Sequence, residues 1–158
     1  MKNTRLEIRL FQREDATQIA QLFHQTVREV NLKDYSIEQV RAWAPDQIDF
    51  RAWENICSSR FTYVAVLRDL IVGFAELEPN GHIDCFYCHK NFQRQGIGKL
   101  LYQAIETKAL ELNLRSLFVE ASITAKPFFQ KLGFSLVKQQ QVSCRGQIFI
   151  NFRLEKSI

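Results

Sequence analysis

No apolar run in the chain approaches the roughly 20 residues that span a bilayer. The opening Met1-Lys2-Asn3-Thr4-Arg5-Leu6-Glu7 also lacks the apolar stretch of a secretion signal. A membrane-embedded or exported protein is therefore not expected. Blocks of like charge are missing too. Lys and Arg number 21 against 17 Asp and Glu, a net charge of +4 with a pI near 9.0. So mild and thinly spread an excess suits an anionic cofactor, but it lacks the one-sided clustering of a nucleic-acid-binding surface. There is no internal repeat, low-complexity stretch or linker. What is left is an ordinary composition, 46% hydrophobic and 24% charged over 158 residues. It excludes a disordered tail, a fibrous repeat and a small disulfide scaffold, and the length fits one domain over 1–158.

The four cysteines, Cys57, Cys85, Cys88 and Cys144, have no secretion signal ahead of them, so a reducing, cytoplasmic setting with free thiols is expected. Cys85 and Cys88 spell C-x-x-C. Both fall in a strand-like segment, where residues three apart point to opposite faces. With no second Cys/His pair at zinc-finger spacing, neither a metal nor redox chemistry is expected there.

Leu6, Ile8 and Leu10 alternate with Arg5, Glu7 and Arg9, the period of a half-buried strand. Ile19, Leu22, Phe23, Val27 and Val30 then recur at helical spacing, predicting an amphipathic helix over roughly 14–31. Ser36 with Gln39 forms a capping box opening a short helix that Pro45 closes, and Asp49 caps another through Trp53 and Ile56. Three strands follow, 61–67, 70–77 and 82–88, joined at Arg68-Asp69 and Pro79-Asn80-Gly81 as an antiparallel meander. A long helix starts at Gly96, a strand runs over 116–121, and a short helix over 124–132 stops at Gly133. Two last strands, near 134–143 and 147–154, turn at Arg145-Gly146. This order makes an α+β fold.

The stretch richest in chemistry is Gln93-Arg94-Gln95-Gly96-Ile97-Gly98-Lys99, between a strand and the long helix. Glycines at a helix start let a ligand approach the backbone. The first turn offers unpaired N–H groups and the positive end of the helix dipole. Together they suit a phosphate, with Arg94 and Lys99 adding charge; G-x-G alone reads more readily as a plain glycine-containing turn. The segment is not a P-loop, which needs G-x-x-x-x-G-K-[ST]. Nor is it the dinucleotide fingerprint, since Leu101 stands where a third glycine belongs.

The segment does resemble the acetyl-CoA motif Q/R-x-x-G-x-G/A of the GNAT (GCN5-related) N-acetyltransferases. Ala125-Lys126-Pro127-Phe128-Phe129-Gln130-Lys131-Leu132-Gly133-Phe134 is similar to that family's A-x-x-x-(Y/F)-x-x-x-G-F pattern, and the element order fits over about 5–154. Tyr35-Ser36-Ile37-Glu38-Gln39, Gly81-His82-Ile83-Asp84 and Thr124-Ala125-Lys126-Pro127-Phe128-Phe129 look most like an uncharacterised bacterial branch. The resemblance implies a mixed, mostly antiparallel sheet of about seven strands, splayed between the fourth and fifth and flanked by helices. It implies an N-acetyltransferase moving the acetyl group of acetyl-CoA to a primary amine by direct attack in a ternary complex. Family members are often homodimers, but no surface readable in the sequence argues for one.

Carried over residue by residue, Phe86, Tyr87 and Cys88 would receive the acyl end through their backbone. Gln93, Arg94, Gln95, Gly96, Ile97, Gly98 and Lys99 would hold the pyrophosphate. Ser122 stands where an asparagine often contacts the pantetheine arm, and Phe129 where a tyrosine often protonates the leaving thiolate. Phe129 has no proton to give, so either Tyr87 or Tyr102 serves or the thiolate leaves unassisted. His82 and Asp84, on one strand face before the acyl-binding stretch, are the candidate base system. Glu76 and Glu78 are either a second carboxylate cluster or solvated residues. Tyr35, Trp43 and Trp53 are either core or part of an acceptor pocket. The alternative is a CoA-binding module without turnover. The acceptor itself is not written in the residues.

Overall fold

The structure, a computed structural model, describes residues 5–158; the opening 1–4, read above as lacking a signal, lie outside it. Among the described residues, seven strands form a single sheet in the order β1-β2-β3-β4-β5-β7-β6. They are β1 (Glu7–Leu10), β2 (Phe61–Leu67), β3 (Leu70–Leu77), β4 (His82–Cys88), β5 (Ser116–Ser122), β6 (Ser135–Cys144) and β7 (Gln147–Ser157). Five α-helices flank it: α1 (Ala16–Glu29), α2 (Ile37–Trp43), α3 (Phe50–Ser58), α4 (Ile97–Glu111) and α5 (Lys126–Lys131). Every strand pair is antiparallel except β4 with β5. Among the described residues no helix is long and apolar enough to cross a membrane.

Local chemistry explains the boundaries. Arg68 and Asp69 both take positive φ (51° and 64°), as do Arg145 and Gly146 (44° and 81°). This left-handed pair is what a two-residue hairpin turn requires to match strand twist. The capping box opens α2: Gln39 N donates to Ser36 Oγ at 3.1 Å, and Ser36 N donates to Gln39 Oε1 at 2.8 Å. Asp49 caps α3 by accepting from Ala52 N at 3.0 Å. The last helix starts later than the predicted 124, because Thr124 is held elsewhere: its hydroxyl donates to Asp34 and accepts from Asn31.

On one sheet face the stripe Ile97, Leu101, Ile105 and Ala109 of α4 meets Leu77, Ile83, Leu117 and Leu154. Each fully buried side chain of this size contributes about 1.5–3 kcal/mol. On the other face α1 and α3 bring Ile19, Leu22 and Cys57 onto Val64 and Phe74, and a third cluster joins Val27, Tyr35 and Val40 to Phe149. Cys85 packs with the α1–α3 side and Cys88 with the α4 side, so the two thiols face apart as the strand period predicts. All four cysteines are free thiols.

Asp15 fastens the start of α1. Its carboxylate takes two bonds from the Arg9 guanidinium (2.7 and 3.0 Å) and one from Gln12 N (2.7 Å). Burial alone would raise this carboxyl, but the Arg9 and Gln12 bonds together hold it below the usual range. A depressed folded pKa is stability present above the unfolded value and lost as pH falls through the folded one. Asp15→Asn is therefore expected to cost about 1–3 kcal/mol at pH 7. Urea titrations should show the gap to wild type closing once the pH drops below the ordinary carboxylate range; a gap independent of pH would contradict the assignment.

Candidate active site

β4 and β5 share just two residue pairs, His82↔Phe118 and Ile83↔Val119. Beyond them β4 stays with β3 while β5 runs with β7, so the strands part. Between β3 and β4 the register slips by one residue near Asp84 and Cys85, a bulge that turns the end of β4 aside. A cavity of about 680 Å³ opens in the gap. Its walls are Phe86–Cys88 of β4 and Val119–Ser122 of β5, and its base is the start of α4 with Phe128 and Phe129 of α5.

The start of α4 is built to be left open. Gly96 is its N-cap at φ 83°, with no side chain capping the turn. The first intrahelical bond is Leu100 N to Gly96 O at 3.3 Å, so the N–H groups of Ile97, Gly98 and Lys99 lie ahead of it with no helical acceptor. The two glycines serve different ends. A Cβ at Gly96 would meet nothing within 4 Å, so the requirement there is the left-handed backbone. A Cβ at Gly98 would lie 2.9 Å from Cε2 of Phe128, so the requirement there is space. Arg94, Lys99 and Lys131 add positive charge along this end. Gln93 also borders the cavity, but its side chain donates to the carbonyls of Cys88 (2.6 Å) and His89 (3.3 Å), latching the loop to β4. Gln95 and Ile97 line the cavity as well.

At the opposite end sits a charged cluster. Asp84 lines the cavity and pairs with the Arg60 guanidinium. Arg60 also bonds Glu76 Oε2 at 3.0 Å and lies 3.9 Å from Glu78. Glu76 is fully buried and takes a further bond from Cys57 Sγ at 3.3 Å. It is thus a member of the cluster, not a solvated residue. His82 shares this face, with side-chain nitrogen and oxygen atoms of His82, Glu78 and Asp84 within 4.8 Å of one another. Its Nδ1 bonds Glu78 Oε1 at 2.7 Å, and its ring stacks on Phe118 at 4.9 Å. His82 is not among the residues lining the cavity; Glu120 of β5 is, 3.9 Å from His82 Nε2.

The other expected positions divide. Ser122 lines the cavity and accepts from Ala125 N at 3.0 Å. Phe129 is buried in contact with Phe86 and Phe134, with no hydroxyl to offer. Tyr87 lines the cavity; burial first, then Cys85, pushes its phenol well above 10 even though its oxygen accepts from the Trp43 indole. The Cys88 thiol is pushed by burial up to about 11, so it stays protonated and unreactive. Tyr102 is on the far side of α4, where its oxygen accepts from Lys156 at 2.8 Å. Of the early aromatics, Trp43 reaches the cavity, whereas Trp53 packs between Phe23 and Phe74. Tyr35 is a buried strut, donating to Ile150 O at 2.7 Å and accepting from Ile123 N at 2.9 Å. Arg60 and Glu120 were missed in the sequence. The parallel pairing that sets Glu120 near His82 is a tertiary fact, and nothing in Ser59-Arg60-Phe61 marks the arginine as a hub.

Residues 31–156 match the acetyltransferase (GNAT) domain. An uncharacterized N-acetyltransferase, YafP, of Escherichia coli K12 is 35% identical over 147 residues, 93% of either chain. A crystal structure of a GCN5-related N-acetyltransferase from Rhodopseudomonas palustris superposes with a TM-score of 0.92 at 32% identity, covering 96% of this chain and 95% of that one. The PaiA N-acetyltransferase of Thermoplasma acidophilum, solved with coenzyme A, gives 0.80 at 17% identity, covering 98% and 99%, a likeness of fold. With the splayed strands and the open α4 terminus, these findings establish that the chain belongs to the GNAT family of acetyltransferases.

Proposed function

We propose that the protein transfers the acetyl group of acetyl-CoA to a primary amine within one ternary complex. The observation that carries this reading is the uncapped start of α4, with its free N–H groups and flanking Arg94 and Lys99, facing the gap between β4 and β5. That terminus fits a pyrophosphate, and coenzyme A is the ligand of the Thermoplasma neighbour. Ile97, Gly98 and Lys99 would bind it through their backbone, with Gln93 and Gln95 shaping the loop. Phe86, Tyr87 and Cys88, on an edge of β4 without a strand partner, would hold the acyl arm opposite Ser122 and Phe129. Bound there, acetyl-CoA supplies the thioester carbon that the amine attacks.

A lysine-like amine, with a pKa of about 10.4, reaches the site protonated and must lose a proton before attack. His82 and Asp84 divide that task unequally. Asp84 is engaged by Arg60, so it serves as fixed negative charge. His82 is the base: the Glu78 carboxylate can only accept, so Nδ1 carries the hydrogen and Nε2 is left with its lone pair.

Phe129 favours a second reading, a CoA-binding module without turnover, since the site has no tyrosine there. A thiol pKa of about 8.5 weakens that objection, because thiolate leaves without an acid. Thiol release from acetyl-CoA across a broad amine panel decides between them. The expected result is release with one chemical class of amine and a fall of about 10²–10⁴ in kcat for His82→Gln. Binding by calorimetry with no release from any amine would establish the module instead.

A further inference from the structure

His82 has the tautomer of a base but does not line the cavity, whereas Glu120 lines it and reaches back toward His82. We propose, resting on the acetyltransferase reading, that Glu120 receives the acceptor's ammonium group and passes its proton to His82. The two residues sit where β4 and β5 separate. His82 is paired with Phe118, and Glu120 is two residues further along β5 on the same face, at the first position where the strands no longer pair.

The two oxygens of Glu120 have different surroundings. Oε2 accepts from the neutral Gln140 amide at 3.0 Å, a bond from β6 that anchors the carboxylate. Oε1 lies 3.9 Å from His82 Nε2, just beyond a hydrogen bond, and a small rotation of a side chain 40% exposed closes that distance. Arg153, directly across from Glu120 on β7, does not neutralise it: its guanidinium pairs with Glu155 at 2.9 Å and lies over the Phe118 ring. Asp84, the other carboxylate at the mouth, already carries the Arg60 cation. Among the described residues, Glu120 therefore offers the acceptor a carboxylate that no Lys or Arg pairs.

The ammonium gives one proton through Glu120 Oε1 to His82 Nε2, and imidazolium charge is met by Glu78 at Nδ1. The amine lone pair forms the C–N bond, the C–S bond breaks, and its electron pair leaves on sulfur. A second N–H proton then leaves the new amide nitrogen for the thiolate, and His82 returns its proton to solvent. The recognised chemistry is a cationic amine, drawn to the acidic end of a cleft whose other end is basic.

The test uses Glu120→Gln, Glu120→Asp and Glu78→Gln in the full chain, with 1,4-diaminobutane and acetyl-CoA as probes. The His82 titration is followed through its imidazole ¹⁵N resonances, which need no acceptor. The charged groups around that ring are Glu78 and Asp84 from its own hairpin and Glu120 from β5; Arg60 pairs with Glu78 and Asp84, and Arg153 lies over the Phe118 ring on which His82 stacks. Glu120→Gln should move the His82 midpoint downward, because it removes a negative charge 3.9 Å from Nε2. It should raise KM for the diamine at least about tenfold and move the acid limb of the rate profile downward with the midpoint. Glu120→Asp should recover part of each change. An unmoved midpoint with an unchanged KM in an active wild type overturns the role of Glu120 alone. No thiol release by the wild type with any amine overturns the acetyltransferase reading, and this role with it.

Discussion

Gly98→Glu is expected to weaken acetyl-CoA binding by more than about a hundredfold, ~2.7 kcal/mol, and Gly98→Ala by about tenfold. Two effects of different origin add here. The first is steric: any Cβ at this position meets Cε2 and Cζ of Phe128 at 2.9 and 3.0 Å. Phe128 is itself held against Phe86 at 5.2 Å and Phe129 at 5.1 Å, so its ring yields by moving into the cavity that the start of α4 borders. The second is electrostatic. A carboxylate beside the free N–H groups of Ile97, Gly98 and Lys99 occupies the positive end of the helix and repels a phosphate there. That same interaction favours the helix, so the loss of binding is not a loss of fold. Calorimetry with Gly98→Ala, Gly98→Glu and the pair Gly98→Ala with Phe128→Ala separates the effects. The double variant should regain most of the affinity that Gly98→Ala loses, and the amount by which Gly98→Glu falls below Gly98→Ala measures the added charge and bulk. Wild-type affinity in Gly98→Glu would remove the α4 terminus from the cofactor site.

How much of this was legible in the sequence follows from which interactions are local. Hairpin turns, the Ser36 and Asp49 caps and the start of α4 at Gly96 depend on neighbours within a few residues, and all stand where turn and capping chemistry put them. The family resemblance likewise rests on contiguous motifs, and it anticipated the parting of the fourth and fifth strands. What escaped were contacts between segments far apart in the chain. Glu76 reads from its alternation as equally solvent-facing or clustered; Arg60, 16 residues away, decides the matter by entering the sheet face beside it. Gly98 reads as a phosphate glycine, and its steric partner Phe128 lies in another motif 30 residues on, so the packing half of its role was invisible. His82 and Asp84 look equivalent by strand period. The bulge at Asp84-Cys85 and the guanidinium on Asp84 make them different.

Arg60→Ala is expected to destabilise the protein by ~3–5 kcal/mol, a large share of the roughly 5–15 kcal/mol that holds a domain together. The arginine, just ahead of β2, brings one guanidinium to three carboxylates: Glu76 at 3.0 Å, Glu78 at 3.9 Å, and Asp84. Asp84 and Glu78 are partly exposed, so water replaces the cation for them at small cost. Glu76 is not exposed at all, and its remaining partners are the thiols of Cys57 and Cys85, weak donors that burial and Glu76 itself keep protonated. The penalty is thus that of one uncompensated buried charge, and the double variant Arg60→Ala with Glu76→Gln should remove much of it. Denaturant titrations of the two single variants and the double variant give the coupling. An interaction energy above about 1 kcal/mol is expected for groups in direct contact, with the double variant more stable than Arg60→Ala alone. Strictly additive losses would mean that Glu76 finds its counter-charge elsewhere. Because the same guanidinium fixes Asp84 at the mouth of the cleft, Arg60→Ala should also slow turnover under conditions where the variant is fully folded. Arg60→Lys, which keeps the charge but cannot fork between carboxylates, should fall between the two in both stability and rate.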